Sequence, residues 1–235
     1  MRRPVWDTPV LPQGEEKVRA VREMFDAIAP RYDVVNRLMT FGLDERWRRR
    51  AVEELCLPRH SLVLDLASGT GDLCVDLAAA GHRPLSVDFS LGMLQADHSG
   101  APRIQADILR LPVADAAADG VTCGFALRNL AALEPFFAEL ARAVRPGGRV
   151  ALLDVGTPSN RFVRAGHALY FGKIVPRVGG WLSDPAAYRY LPRSVAYLPA
   201  PDELVASLRA SGFGDASRRQ LTLGVTQLFI GTRDR

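Results

Sequence analysis

Up to about residue 60 the apolar positions recur at helical spacing, and beyond it they come as short unbroken runs separated by further helical stretches. Val18, Val21, Met24, Phe25 and Ile28 predict a helix over 15–28 that Pro30 stops, and Trp47, Val52 and Leu55 predict a second over 44–58 with Asp44 as its N-cap. Between them, 31–42 reads as a loop with more aromatic and polar residues than a linker needs, so a ligand contact is expected there. From Ser61 the runs at 62–66, 84–88, 104–106, 121–125 and 150–154 predict strands, with helices over 72–80, 91–96 and 134–144. Unbroken apolar strands alternating with helices describe a parallel sheet covered on both faces. A mixed apolar and basic helix is expected over 161–181 within an insertion at about 157–200, then a helix over 201–211. Strands at 216–221 and 225–231, joined near Gly224, close the sheet with an antiparallel terminal strand. The expected fold is a doubly wound, Rossmann-like α/β domain over 61–235 beneath an N-terminal helical cover over 1–60.

Composition narrows the class without changing this picture. The 235 residues are 48% hydrophobic and 24% charged, as in an ordinary globular chain, and no apolar run is long enough for a membrane-spanning helix. Three cysteines without paired short spacing fit neither a disulfide framework nor a zinc site, and a cytoplasmic setting is expected. The net charge of +4 is spread along the chain, so nucleic acid is not an expected partner. Local exceptions are the run Arg46-Trp47-Arg48-Arg49-Arg50 and the basic stretch 161–177, either of which could meet anionic lipid headgroups or form a solvated helix face. The sequence leaves a homodimer open.

Open α/β sheets bind ligands outside the carboxyl ends of their strands. The first such turn is Asp65-Leu66-Ala67-Ser68-Gly69-Thr70-Gly71-Asp72. Gly69 and Gly71 let the backbone approach a ligand, but Cys74 stands where a dinucleotide fingerprint needs its third glycine, and two aspartates flank the turn. Such an acidic setting disfavours a pyrophosphate. Asp88 ends the second strand, where a carboxylate accepts both hydroxyls of a ribose, and Asp107 follows the third, within reach of an adenine amino group. An amino-acid end, a ribose and an adenine without phosphate describe S-adenosylmethionine; the competing account is a glycine turn with three helix-capping aspartates and no ligand. Pro146-Gly147-Gly148 reads as the tight turn before the fifth strand.

Several blocks together resemble the ubiquinone/menaquinone C-methyltransferases over nearly the whole length. They are Met24-Phe25-Asp26-Ala27-Ile28-Ala29-Pro30-Arg31-Tyr32-Asp33 with Asn36 and Met39, Trp47-Arg48, the glycine turn, Asp88-Phe89-Ser90 with Met93-Leu94, and Gly124-Phe125-Ala126-Leu127-Arg128-Asn129-Leu130. Tyr188-Arg189-Tyr190-Leu191 with Ser194 and Leu221-Thr222-Leu223-Gly224 are similar to the family's late motifs. The resemblance implies the class I S-adenosylmethionine-dependent methyltransferase fold, with S-adenosylhomocysteine as product. It places Asp65, Gly69, Thr70, Gly71, Asp88, Phe89, Asp107, Ile108, Gly124 and Tyr32 at the cofactor, and Asp33, Asn36, Arg128 and Tyr188 at the substrate. Gly124 stands where relatives often carry Ser, and Gln227 near where many carry His, so no catalytic histidine is assigned there.

By the resemblance, the reaction moves the sulfonium methyl group to a ring carbon of a reduced, demethylated polyprenyl quinone, demethylmenaquinol to menaquinol. A ubiquinone-precursor benzoquinol or another small phenol is the alternative acceptor, and a non-catalytic S-adenosylmethionine-binding subunit the alternative of another class. Ring carbon becomes nucleophilic when a neighbouring hydroxyl loses its proton, so phenolate stabilisation is needed. Arg128 and Asn129, just after the fourth strand, are the candidates; Arg stays protonated and acts by charge, unless it serves only as a salt-bridge partner. His60, His82, His98 and His167 read as loop or helix-surface residues, no cluster has metal spacing, and a metal-free enzyme is expected.

Overall fold

The computed structural model describes residues 12–175, 177, 190 and 193–235. Strand β1 (Leu62–Leu66) sends Leu64 and Leu66 into one hydrophobic cluster and Val63 into another, because successive side chains leave a strand on opposite faces. Both faces are covered, which is why the run carries no polar alternation. The strands β2 (Arg83–Asp88), β3 (Arg103–Gln105), β4 (Ala118–Gly124) and β5 (Val144–Val155) join it in parallel pairings. Strand β7 (Thr226–Thr232) runs antiparallel beside β5 and carries β6 (Ser217–Leu221) at the edge. Among the described residues the sheet has seven strands in the order β3-β2-β1-β4-β5-β7-β6.

Helices α1 (Gly14–Ile28), α2 (Tyr32–Thr40) and α3 (Leu43–Leu55) precede the sheet; α4 (Asp72–Ala79), α5 (Leu91–Ala96) and α6 (Glu134–Ala143) connect its strands. After β5 come α7 (Arg161–Leu169), extended by a wider helical turn over Tyr170–Ile174, and then α8 (Pro201–Ala210). On one face Phe136, Phe137, Leu140, Leu204 and Leu208 of α6 and α8 pack against Leu64, Val121 and Leu152. On the other, Trp47, Ala51, Leu55, Leu73 and Leu77 of α3 and α4 meet Val63, Ala151 and Leu153. A third cluster joins Val21, Met24 and Ile28 of α1 to Val35, Met93 and Tyr190 at the carboxyl end of the sheet.

The doubly wound sheet with its antiparallel closing strand agrees with the sequence reading, and three local expectations are corrected. Residues 31–42 are largely helix, not loop: after a short turn over Ala29–Arg31, Tyr32, Val35, Asn36 and Met39 share one face of α2, at helical spacing that its few apolar residues obscure. Asp44 is no N-cap; Gly42 holds that position in a left-handed conformation, and Asp44 lies buried in the first turn of α3, bonded to Arg48. In the arginine run Trp47 and Arg48 are buried, while Arg46 and Arg49 are exposed, and Arg49 and Arg50 pair with Glu45, Glu53 and Glu54. Pro146-Gly147-Gly148 lies within the span of β5, where the pairing with β4 shifts register between Ala118 and Gly120. Of the expected insertion, residues 176, 178–189 and 191–192, with Tyr188, lie outside the described residues.

The segment Thr222–Gly224 turns with φ of 45°, 56° and 89° at successive residues, and Trp47 Nε1 ties it down by donating to Thr222 Oγ1 at 2.7 Å. Gly156, at the end of β5, passes so close that a Cβ there would stand 2.4 Å from the Gly224 carbonyl oxygen. Gly156→Ala should therefore push this turn away and cost about 1–3 kcal/mol of stability, the usual range for overpacking. Denaturant unfolding of the variant beside wild type measures it.

Candidate active site

The carboxyl ends of β1, β2 and β4 open on a cleft of about 790 Å³. The chain turns sharply at its floor, with Ala67 and Phe125 both in the left-handed region and Gly69 at φ 59°. Asp88 and Asp107 supply its carboxylates, Gly69, Gly124 and Asn129 other polar lining, and Phe89, Ile108, Leu109 and Phe125 much of the apolar wall; Val18, Val21, Phe25 and Tyr32 come from the cover. No Lys, Arg or His lines it among the described residues. Two carboxylates without a cation suit a phosphate-free, positively charged nucleoside and would repel a pyrophosphate. A Cβ on Gly69 would meet nothing within 4 Å, so the position faces open space.

The aspartates beneath differ in role. Asp88 is buried and accepts from the backbone N–H of Gly69 at 2.9 Å and of Ser90 at 2.8 Å, so it shapes the glycine turn as well as facing the cleft. Burial pushes its carboxyl up to about 6 despite these bonds. Asp65 is fully buried and does not line the cleft; it accepts from Thr122 Oγ1 at 2.8 Å and from Cys74 Sγ at 3.5 Å. Burial raises it to about 7. Thr70 is also turned away from the cleft, donating to Asp33 at 2.5 Å, while a Cβ on Gly71 would clash with Asp97. Thr70 and Asp33 thus fasten α2 of the cover to the glycine turn.

A second cavity, of about 1460 Å³, lies beside the first and shares Phe25, Tyr32 and Phe125 with it. Its wall includes Asn36, Met39, Trp47, Arg128, Val155, Thr222 and, from α7, Val163, Gly166, His167 and Tyr170. Arg128 is buried and bonded through Nη1 to Asp154 Oδ1 at 2.5 Å, and Asp154 is wholly buried. The salt bridge considered from sequence therefore exists, and the same guanidinium faces the cavity. Asn129 is fixed by Tyr190, whose hydroxyl donates to Asn129 Oδ1 at 3.0 Å. Gln227 is buried away from both cavities, with Nε2 donating to the Val155 carbonyl at 2.8 Å. His167, expected on a helix surface, faces the second cavity. Its spacing of i, i+3, i+4 and i+7 with Val163, Gly166 and Tyr170 was legible as one helix face, but not what that face looks upon.

The match to the ubiE/COQ5 methyltransferase family spans residues 12–233. The chain belongs to this family. It is 41% identical to a demethylmenaquinone methyltransferase of Thermus thermophilus, over 89% of this chain and all of that one. It is 39% identical to the ubiquinone/menaquinone biosynthesis C-methyltransferase UbiE of Syntrophotalea carbinolica, over 90% and 93% of the two chains. Among solved structures, a methyltransferase of Thermotoga maritima described as a possible histamine N-methyltransferase superposes with a TM-score of 0.64 at 17% identity, covering 90% of this chain and 98% of that one. A Haemonchus contortus phosphoethanolamine N-methyltransferase bound to S-adenosyl-L-methionine superposes with a TM-score of 0.60 at 12% identity, with 80% and 52% covered. At such identities the likeness establishes the fold, that of class I methyltransferases. This ubiE/COQ5 family member is an S-adenosylmethionine-dependent C-methyltransferase, and the cation-free cleft suits that cofactor. Among the described residues no three His, Cys, Asp or Glu side chains gather as metal ligands.

Two measurements probe the carboxylates. Asp88→Ala should weaken S-adenosylmethionine binding by about 1.5–3 kcal/mol, the range for hydrogen bonds to a charged group, as read by calorimetry. Asp65, raised from 3.8 to about 7, contributes stability that is full below its unfolded value and lost as pH rises through about 7. Asp65→Asn should therefore gain on wild type by on the order of 2 kcal/mol between about pH 5 and about pH 8, measured by denaturant unfolding of the cofactor-free protein.

Proposed function

We propose that this family member methylates a ring carbon of a reduced, demethylated polyprenyl quinone, converting demethylmenaquinol to menaquinol. The observation that carries this reading is the second cavity: large, mainly apolar, set against the cofactor cleft with Phe25, Tyr32 and Phe125 as their common wall, and lined by the buried Arg128. The names of the Thermus thermophilus and Syntrophotalea carbinolica relatives support the quinone class. When bound, the cofactor supplies an electrophilic methyl group on a sulfonium sulfur.

The chain's own residues supply the rest. Asp88 accepts the ribose hydroxyls, Asp107 the adenine amino group, and Phe89 and Ile108 cover the purine, while Gly69 admits the ligand's close approach. Asp65 anchors the strand end before the glycine turn through Thr122 and Cys74; Thr70 and Gly71 shape the turn, and Gly124 and Tyr32 border the cofactor's side of the shared wall. Arg128 has five N–H donors, so bonding to Asp154 leaves others for a phenolate oxygen, and its charge favours the ionised ring. Asn129, held by Tyr190 on the cofactor side, meets the reacting edge of the ring, and Asn36 faces the acceptor cavity. Asp33 serves the substrate indirectly, by fixing α2 through Thr70.

A tailed quinol is met at a membrane, and we place the enzyme on the cytoplasmic side, bound peripherally. No helix among the described residues is long and apolar enough to cross one. Val34, Leu38 and Phe41 at α2 and Phe162 and Leu169 of α7 are exposed on elements that wall the cavity, offering apolar contacts where a tail would leave it.

Purified enzyme given S-adenosylmethionine and a short-chain prenyl demethylnaphthoquinol should form the methylated product only while a reductant keeps the ring reduced. Equal rates on the oxidised quinone would remove the phenolate from the mechanism, and faster turnover of a matching benzoquinol would favour the alternative acceptor. In the same assay Arg128→Lys should lower turnover roughly ten- to thousandfold, the range for one electrostatic donor, with cofactor affinity and melting temperature little changed.

A further inference from the structure

Methyl transfer to a ring carbon releases one proton. The C–C bond forms with the electron pair of the ring, the S–C pair stays on sulfur, the hydroxyl proton leaves as the oxygen takes up carbonyl character, and the ring proton then shifts to that oxygen as aromaticity returns. One proton must therefore reach solvent through a base at the acceptor cavity. The ionisable side chains that line this cavity among the described residues are Tyr32, Asp44, Arg128, His167 and Tyr170.

Four of them are unsuited to the task. Arg128 is permanently charged and bonded to Asp154. Asp44 is engaged by Arg48 and accepts from Thr40 Oγ1 at 2.5 Å. Tyr32 and Tyr170 are protonated at neutral pH, burial raising both further, and Tyr170 donates its hydroxyl proton to the Met39 carbonyl at 2.8 Å. His167 remains. It stands on the inward face of α7 with Val163, Gly166 and Tyr170, its Nε2 buried and the residue as a whole partly exposed.

Resting on the quinol reading above, we propose that His167 is the proton acceptor of the reaction, taking the acceptor's hydroxyl proton as the ring carbon attacks and passing it to solvent. Burial lowers the pKa of the imidazole below its ordinary 6.5, which keeps it neutral and able to accept at physiological pH. Arg128 and His167 then divide the work, the first holding the negative oxygen and the second removing its proton. The arrangement explains why α7 buries none of its residues although its inward face is apolar: that face packs against the cavity, not against a core. The other charged groups close to His167 in sequence, Arg161 and Arg164, are exposed on α7 itself.

The test uses His167→Gln and His167→Ala with the reduced short-chain demethylnaphthoquinol. Expected are a kcat lower by about 10²- to 10⁴-fold, a KM for the quinol little changed, and loss of the acid limb that wild type shows in its pH profile of kcat. Added imidazole should restore His167→Ala by about tenfold or more and leave His167→Gln unchanged. S-adenosylhomocysteine should bind both variants as it binds wild type, by calorimetry, and NMR of the imidazole C2 proton in wild type should show His167 titrating below free histidine. A variant kcat within about threefold of wild type, or a loss that imidazole does not restore and that leaves the acid limb in place, would overturn the role of His167 while the quinol reading stands. A wild-type enzyme that leaves the naphthoquinol and the benzoquinol unmethylated would overturn the quinol reading and this inference with it.

Discussion

The carboxyl end of this sheet buries negative charge, and much of the surrounding structure answers that constraint. Asp65 on β1, Asp88 on β2 and Asp154 on β5 are each buried within a few residues of a strand end. Removing a carboxylate from water costs several kcal/mol unless charge or hydrogen bonds replace the lost solvation. The three sites meet the cost differently. Asp154 takes the Arg128 guanidinium and the N–H of Val155, Asp88 takes two backbone N–H groups of the turns after β1 and β2, and Asp65 has, among the described residues, a hydroxyl and a thiol. Asp65 and Asp88 are consequently raised, and a cationic ligand arriving above them relieves what the fold alone leaves uncompensated. Carboxylates so placed favour a sulfonium over a pyrophosphate on electrostatic grounds.

The cover converts this cleft into two chambers. Asp26 of α1 accepts from Ser90 Oγ and the Gly92 N–H, fixing the start of α5. Lys17 of α1 donates to the Leu130 carbonyl at 2.6 Å and sits 3.6 Å from the centre of the Tyr197 ring. Thr70 and Asp33 hold α2 against the glycine turn. These three attachments hold Phe25 and Tyr32 in the wall that the two cavities share. A second wall comes from the far end of the chain, where Trp47 secures the Thr222–Gly224 turn in a conformation that costs a β-branched residue energy. Rigid attachment of both walls suits a reaction whose rate depends on holding a ring carbon and a methyl group in line.

Local pattern and composition determined much of this protein. The alternation of apolar runs with helical periods dictates a parallel sheet covered on both faces, and acidic residues at successive strand ends, with no third glycine in the turn, favour a nucleoside without phosphate as the ligand. Both follow from short-range geometry, because strand ends fall where the apolar runs end. The Arg128-Asn129 pair was legible for the same reason, lying just past β4. Tertiary structure alone decided which polar residues face which space. Asp65 and Asp88 read alike in sequence, yet strand pairing puts Asp65 under Thr122 and Asp88 at the cleft. Residues 31–42 look like a loop until α2 packs its single inward face on the glycine turn. His167 carries no local mark of its setting, because what lies opposite α7 is contributed by α2, α3 and the segment after β4, from about 40 to about 135 residues away in sequence, and only their packing encloses the cavity.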